Sequence, residues 1–218
     1  FLFSVTLQGH GPYEASRYQA NSIKTEGPLS DFAKQQLETY AEGLRESDKE
    51  FKRLVKWAKE RERETIIVYF GDHLPPLGDA FVETGYMPNR VATRRAPLDV
   101  MQKEHETPLV IWSSKSGLKE DVGSFSPAFL PYHVVKLAGF SDPFYTGVLG
   151  GVLKDYTVID RHMLVKSDGS ATPDWLTRGG TTDDTIANYR HLQYDMMFGK
   201  EYSRKTFFSG FDWLHEAT

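Results

Sequence analysis

Apolar residues along the chain follow two patterns, short continuous runs and one long helical stripe. The runs at 1–7, 65–70 and 107–113 are rich in β-branched and aromatic residues, which predicts buried strands. From about Ser30, apolar residues recur at the 3.6-residue spacing of a helix. A strand, a long crossover helix and a second strand form a βαβ unit, so the pattern predicts an α/β fold with a largely parallel central sheet flanked by helices.

The second half of the chain predicts shorter elements. Residues 126–138 read as an apolar helix, in which Pro131 implies a kink or a later start. Residues 140–152 are rich in glycine and aromatics and predict a loop, whereas 156–159 and 162–165 predict a small antiparallel hairpin. A second amphipathic helix is expected over 182–198. The aromatic residues of the tail are expected to pack onto the body: Phe207, Phe208, Phe211 and Trp213.

Composition excludes several classes of protein. The net charge is −4 and the basic residues are dispersed, so there is no electrostatic case for nucleic acid. The absence of cysteine excludes disulfides, thiolate metal sites and cysteine nucleophiles. No apolar run approaches the roughly 20 residues that span a bilayer. The chain opens on a strand pattern with no initiating Met, and we therefore expect it to be part of a longer protein.

An acid and an imidazole follow the predicted central strand. Gly71, Asp72 and His73 come directly after it, and a Pro-Pro pair then fixes the backbone. Ligands bind at the carboxyl ends of strands in open α/β sheets, so both side chains can face one cation. Carboxylate oxygen and imidazole nitrogen without thiolate suit Zn²⁺, Mn²⁺ or Mg²⁺. The alternative is structural, with Asp72 capping the next turn and His73 packing under the prolines.

Two further groups are candidates for chemistry. His10 lies between two glycines after the first predicted strand, where the backbone can approach a ligand closely; alternatively, it is an ordinary surface histidine. A flap over 79–106 carries three arginines that suit an anionic substrate, although a plain surface excursion is the favoured interpretation. His133 is expected to be a core or supporting residue, and Asp48 a solvated one. The three arginines are Arg90, Arg94 and Arg95, near His105.

The order of these motifs resembles one known superfamily. T-L-Q-G-H-G-P-Y, a helix with Y-A-E-G-L-R-E-S-D, I-I-V-Y-F-G-D-H-L-P-P-L-G, E-T-P-L-V-I-W-S and S-P-A-F-L-P-Y-H-V-V-K-L-A-G occur in that order. Together they resemble the alkaline phosphatase and sulfatase superfamily, and most closely its lipoteichoic acid synthase and phosphoglycerol transferase branch. The resemblance covers roughly residues 1 to 200. It implies that the chain is the carboxyl-terminal portion of a sulfatase-like catalytic domain.

The resemblance also implies roles for particular residues. Asp72 and His73 would bind a catalytic divalent metal ion (Mn, Zn or Mg), and His10 would contact the phosphate or protonate the leaving group. The threonine nucleophile and a further acidic ligand would lie before Phe1, because no threonine in this chain occupies a strand-to-helix turn. The 218 residues alone are therefore expected to be inactive. The threonines considered are Thr6, Thr25, Thr181 and Thr182.

The expected activity is transfer or hydrolysis of an anionic phosphate or sulfate ester, with phosphatidylglycerol as one possible donor. The resemblance places the enzyme outside the cytoplasm, anchored in the membrane through helices upstream of this chain. Two alternatives remain open at this point. One is a sulfatase or phosphoethanolamine transferase acting on another substrate, and the other is a non-catalytic binding module with the same fold.

Overall fold

The computed structural model describes residues 1–93, 96–140, 144–176 and 183–207. The chain divides into two compact units, Phe1–Lys119 and Glu120–Thr218. Several residues considered above lie outside the described ranges: Arg94, Arg95, Thr181, Thr182, Phe208, Phe211 and Trp213. Within the described ranges, no helix is long and apolar enough to span a membrane.

The long helix of the first unit is confirmed. Helix α1 covers Asp31–Lys59, and the Ser30 hydroxyl caps it by accepting a hydrogen bond from the Ala33 amide at 3.2 Å. Asp31 lies in its first turn, while Lys56 and Lys59 lie in its last turn, which complements the helix dipole. Asp48 is exposed on this helix, as expected of a solvated residue.

Two of the three predicted strands form, but they run antiparallel. Strand β1 (Ile66–Phe70) pairs with β2 (Leu109–Ser113), so that Phe70 lies opposite Leu109. The connection between them holds helices α2 (Asp79–Glu83) and α3 (Leu98–His105). This connection both leaves and re-enters the sheet at the carboxyl end of β1. Strand β2 therefore runs in the direction opposite to β1. The structure therefore does not show the predicted parallel central sheet.

The strand predicted at residues 1–7 is wrong. This segment has no regular secondary structure, and its apolar side chains are exposed, with Phe3 at 68% and Val5 at 70%. A strand needs a partner for its backbone N–H and C=O groups, and none of the strands in the described residues pairs with this segment. A hydrophobic run alone does not provide that partner.

Two apolar clusters hold the first unit together. The smaller lies between α1 and the sheet, where Ala58, Ile67 and Trp112 are buried. The larger joins the segment after His10 to the start of α1 and to helices α2 and α3. Its buried residues are Tyr13, Ala33, Leu77, Ala80, Phe81, Met87 and Val100. This second cluster supports both segments that carry the predicted site residues.

Helices α4 and α5 open the second unit. A single 3₁₀ turn at Pro127–Phe129 precedes α4 (Leu130–Leu137), so the predicted helix does start later, with Pro131 in its first turn. Helix α5 (Tyr145–Leu153) occupies a region predicted to be a loop, and that prediction is wrong. Gly150 lies so close to the Tyr132 ring that a Cβ atom there would be 2.5 Å from a ring carbon. The small residue permits close helix packing, which outweighs low helix propensity.

The hairpin of the second unit is confirmed. Strands β3 (Tyr156–Ile159) and β4 (Met163–Lys166) pair antiparallel, and β5 (Ala171–Pro173) adds to β4. Helix α6 (Asp184–Met197) begins after an Asp183 cap, and α7 (Tyr202–Phe207) follows it. The core of this unit is formed mainly by side chains of the 3₁₀ turn, α5, the hairpin and α6: Phe129, Leu149, Val152, Tyr156, Leu164, Trp175, Ile186 and Tyr189.

Candidate metal and substrate site

Backbone contacts anchor the point where β1 ends and the Asp-His pair begins. The Gly71 amide donates to the Pro108 carbonyl at 3.1 Å, and the Thr107 hydroxyl donates to the Gly71 carbonyl at 2.7 Å. A Cβ atom at residue 71 would lie 3.1 Å from Thr107 Cβ, so the strands approach closely where Gly71 stands. The next two residues, Asp72 and His73, leave the sheet from a fixed starting point.

The Asp72 carboxylate and the His73 imidazole lie close together, each with an atom that could bind a metal ion. Asp72 Oδ2 and His73 Nε2 are 3.7 Å apart, and the side chains are 80% and 59% exposed. His73 Nδ1 lies 2.9 Å from the Leu74 carbonyl oxygen. Because a carbonyl can only accept, Nδ1 carries the proton in the neutral ring, and the Nε2 lone pair is left beside the carboxylate. More than half of the His73 side chain is exposed to solvent, so Nε2 can be reached from outside.

This donor pair fits a divalent cation. A carbonyl-bound Nδ1–H that leaves Nε2 for the metal is the usual arrangement of a ligating histidine. Asp72 adds a negative oxygen donor, and both groups are open to solvent. Among the described residues, however, no group of three or more acidic, histidine or cysteine side chains is placed to hold a metal ion. Asp72 and His73 are therefore candidate ligands without a third such side chain beside them in the described residues.

The His10 segment forms an exposed turn whose imidazole has the same tautomer. The His10 amide donates to the Leu7 carbonyl at 3.2 Å, and His10 Nδ1 lies 2.5 Å from the Gly11 carbonyl oxygen. The proton is therefore on Nδ1 when the ring is neutral, and Nε2 remains available to a ligand. His10 does not follow a strand of the sheet, contrary to expectation, because residues 1–7 form no strand.

The structure nevertheless brings the two segments together. A Cβ atom at Gly11 would lie 3.8 Å from Pro76 Cγ. Tyr13 packs in the same apolar cluster as Leu74 and Leu77. The turn that carries His10 therefore lies against the turn that follows Asp72 and His73, and the shared cluster holds both.

Arg17, which the sequence interpretation passed over, is central to the His10 turn. Its guanidinium donates to four backbone carbonyls, those of Leu7, Gln8, His10 and Pro12. The only signal in the sequence is a single arginine in a polar, irregular segment shortly after Gly-His-Gly-Pro. Such a signal does not distinguish a surface arginine from one that organises a loop.

Glu42 and Gly43 of α1 were also missed. Glu42 is buried and accepts hydrogen bonds from Arg45 and from the Ser22 amide, the latter at 2.8 Å. The hydrogen bond from Arg45, followed by that from the Ser22 amide, lowers the pKa of Glu42 to about 2. Gly43 lies against the Gln8 carbonyl, with its Cβ position 2.1 Å from that oxygen. Glu42 thus links the segment at Ser22 to α1, and Gly43 permits the backbone of Gln8, two residues before His10, to approach the helix.

The remaining candidates have structural partners. Arg90 forms a bidentate pair with Asp79, at 2.5 and 2.8 Å, and this engages its guanidinium. His105 Nδ1 contacts the Met101 carbonyl at 2.7 Å. His133 stacks on Phe125 with ring centroids 4.4 Å apart, and burial lowers the pKa of its imidazole. These contacts favour the surface and core interpretations for the three residues.

Comparison with known proteins identifies the family. The family model described as Sulfatase matches residues 1–140. A protein of Rhizobium meliloti named "Putative cyclic beta-1,2-glucan modification protein" is 53% identical over 217 residues, which are 100% of this chain and 34% of that protein. The chain thus spans about a third of the length of this relative. No solved structure matches the chain. On the family match and this similarity, the chain belongs to the sulfatase family, in the alkaline phosphatase-like superfamily.

Proposed function

We propose that the protein transfers phosphoglycerol from a phosphatidylglycerol donor to a sugar hydroxyl of a cyclic β-1,2-glucan, outside the cytoplasm and at the membrane. The chain would then be the carboxyl-terminal portion of the catalytic domain. Family membership supports chemistry on an anionic phosphate or sulfate ester. The name of the Rhizobium meliloti relative supports a glucan acceptor. The observation that carries the proposal is the exposed Asp72–His73 pair, with its donor atoms 3.7 Å apart at the end of β1.

Asp72 and His73 would hold a divalent cation, for which members of this family generally provide a site. Such an ion supplies positive charge beside the group being transferred. Asp72 contributes a carboxylate whose charge offsets part of that of the cation. His73 contributes Nε2, and the hydrogen bond from its Nδ1 to the Leu74 carbonyl fixes the orientation of the ring. Oxygen and nitrogen donors without thiolate fit Mn²⁺, Zn²⁺ or Mg²⁺.

His10 would act on the substrate through Nε2. Its Nδ1–H is engaged by the Gly11 carbonyl, so only Nε2 can exchange a proton with a bound ester. A protonated His10 could donate from Nε2 to a phosphate oxygen or to the leaving oxygen, which stabilises the charge that develops there. The nucleophile would be a threonine outside these 218 residues, as the family resemblance implies.

The test uses the intact protein with phosphatidylglycerol as donor and cyclic β-1,2-glucan as acceptor, and mass spectrometry detects modified glucan. Asp72→Asn and His73→Gln each remove one ligand at nearly constant volume. We expect turnover to fall about 100-fold or more and metal content, measured by elemental analysis, to fall with it. Asp48→Asn and His191→Gln are matched controls, because both residues are exposed on helices. Normal turnover and metal content in Asp72→Asn would refute the metal site.

The family match also supports a second candidate, hydrolysis of a sulfate ester. An aryl sulfate and a sulfated sugar, offered to the same protein, separate the two reactions. Release of sulfate without transfer to glucan would favour the hydrolase. Transfer that depends on phosphatidylglycerol and on Asp72 favours the transferase.

A further inference from the structure

One arginine holds the turn that presents His10. Arg17 Nη2 donates to the Leu7 carbonyl at 2.8 Å and to the Gln8 carbonyl at 3.3 Å. Arg17 Nη1 donates to the Pro12 carbonyl at 3.2 Å and also to the carbonyl of His10 itself. A guanidinium offers several N–H donors in one rigid plane, so a single side chain gathers carbonyls from both sides of the histidine.

Backbone pairing contributes little to the order of this turn. Residues 1–7 form no strand, and the hydrogen bond from the His10 amide to the Leu7 carbonyl closes a single turn. The other contacts come from side chains and from α1: the Tyr13 hydroxyl donates to the Gly9 carbonyl at 2.9 Å, and Gly43 lies against the Gln8 carbonyl. Arg17 is the only described side chain that donates to the carbonyl of His10.

A change at Arg17 would therefore reach the imidazole through the backbone. One of the carbonyls that Arg17 binds belongs to His10, the residue that carries the imidazole. Another belongs to Pro12, two residues further along the turn. If Arg17 is lost, four carbonyls lose a charged donor. The Tyr13 and Tyr18 hydroxyls still donate to the Gly9 and Gln8 carbonyls, but the carbonyls of His10 and Pro12 lose the guanidinium that holds them. Displacements on the order of 1 Å in a reacting group can cost about 100-fold in rate.

We propose that Arg17 is a positioning residue, which fixes the His10 turn by binding the Leu7, Gln8, His10 and Pro12 carbonyls with one guanidinium. This inference rests on the proposed function of His10. The ligand whose orientation it would control is the anionic ester bound at His10 Nε2. Arg17 itself contacts backbone oxygens, and its effect passes through the histidine.

A double-mutant cycle in the intact protein tests this dependence. Arg17→Gln should lower kcat about 100-fold, with a smaller change in KM. In the His10→Gln background the same substitution should change kcat less than about 2-fold, because the group that Arg17 positions is gone. Arg53→Gln is the control, since Arg53 is 77% exposed and pairs with Glu50 on α1. An equal loss of kcat with and without His10 would overturn the proposal.

Amide hydrogen exchange over residues 7–13 gives a readout that does not require the reaction. We expect faster exchange at the His10 amide in Arg17→Gln and no change in Arg53→Gln. If transfer to glucan is not the reaction, this measurement still reports whether Arg17 holds the turn; unchanged exchange would overturn the proposal whatever the reaction is. If Arg17→Gln does not fold, Arg17→Lys replaces it. A single ammonium group reaches fewer carbonyls, so exchange and kcat should shift in the same directions but less.

Discussion

Replacing Gly43 by alanine would test whether α1 sets the position of the His10 turn. A Cβ atom at residue 43 would lie 2.1 Å from the Gln8 carbonyl oxygen, whereas a carbon and a carbonyl oxygen normally approach to about 3.3 Å. The Gln8 carbonyl must therefore retreat by about 1.2 Å. The obstacle is backbone and not the end of a flexible side chain, so the segment that carries His10 moves with it.

Two opposite effects on stability follow from the Gly43→Ala substitution. Alanine in a helix interior is favoured over glycine by about 1 kcal/mol. Forcing an extra methyl group into a filled space costs about 1 to 3 kcal/mol. Because the contact is far shorter than a normal one, we expect the clash to prevail and the free energy of unfolding to fall by about 1 kcal/mol. Displacement of His10 should lower kcat by about 10- to 100-fold.

Urea unfolding and the glucan transfer assay, applied to the same preparations, measure the two effects. Gly151→Ala is the matched control. Gly151 lies inside α5. A Cβ atom at this position would have no atom of the described residues within 4 Å, apart from those of its own helix. This variant should gain up to about 1 kcal/mol and keep full activity. If Gly43→Ala is as stabilising as Gly151→Ala and equally active, the contact with Gln8 does not position the turn.

Three further predictions concern stability, measured by urea unfolding. The pKa of Glu42 is lowered from 4.5 to about 2, so its ionised form stabilises the fold above pH 4.5. This contribution is lost as the pH falls toward 2. The Glu42→Gln variant should therefore lose less stability than the wild type between pH 4.5 and 2. Phe129→Ala should lower the free energy of unfolding by about 3 to 5 kcal/mol, because Phe129 is 0% exposed. Ser113→Ala should cost about 1 to 3 kcal/mol, because the buried Ser113 hydroxyl donates to Glu64 at 2.5 Å and accepts from the Lys115 amide at 3.1 Å.

Each of these three has an exposed counterpart of the same residue type: Glu50→Gln, Phe140→Ala and Ser167→Ala. The last two should change the free energy of unfolding by less than about 0.5 kcal/mol. Glu50→Gln should leave the acid dependence of stability close to that of the wild type. Equal effects at a buried site and its exposed counterpart would show that burial does not determine the cost.

Elements with strong local signals could be predicted from sequence. Helix α1 has its serine cap and a regular apolar stripe, and it begins at Asp31, as the cap at Ser30 requires. The β3–β4 hairpin has two short, largely apolar runs around an Asp-Arg turn, and it forms where expected. The Asp-His pair was predicted to follow a buried strand. It does follow β1, after Gly71, but that strand is only partly buried: Ile67 is buried and Phe70 is exposed. In these cases neighbouring residues determine the structure.

Features that depend on distant partners could not be predicted. The runs at 1–7 and 66–70 look alike in sequence, yet among the strands of the described ranges only the second finds a partner. Helix α5 is rich in glycine and forms because Gly150 admits the Tyr132 ring. Antiparallel pairing of β1 and β2 depends on the path of a long connection, which apolar spacing does not encode. The role of Arg17 could likewise not be predicted from sequence. Its partners are backbone carbonyls, which every residue has, so no particular side chain signals the contact.

The cluster around Tyr13 has a consequence for thermal behaviour. Tyr13, Leu74 and Leu77 pack together, so the histidine turn and the proline turn depend on the same few apolar contacts. Warming that loosens this cluster would disorganise both halves of the site at once. If the proposed cation binds at Asp72 and His73, heat inactivation should accordingly follow one transition, in which loss of metal and displacement of the His10 imidazole occur together.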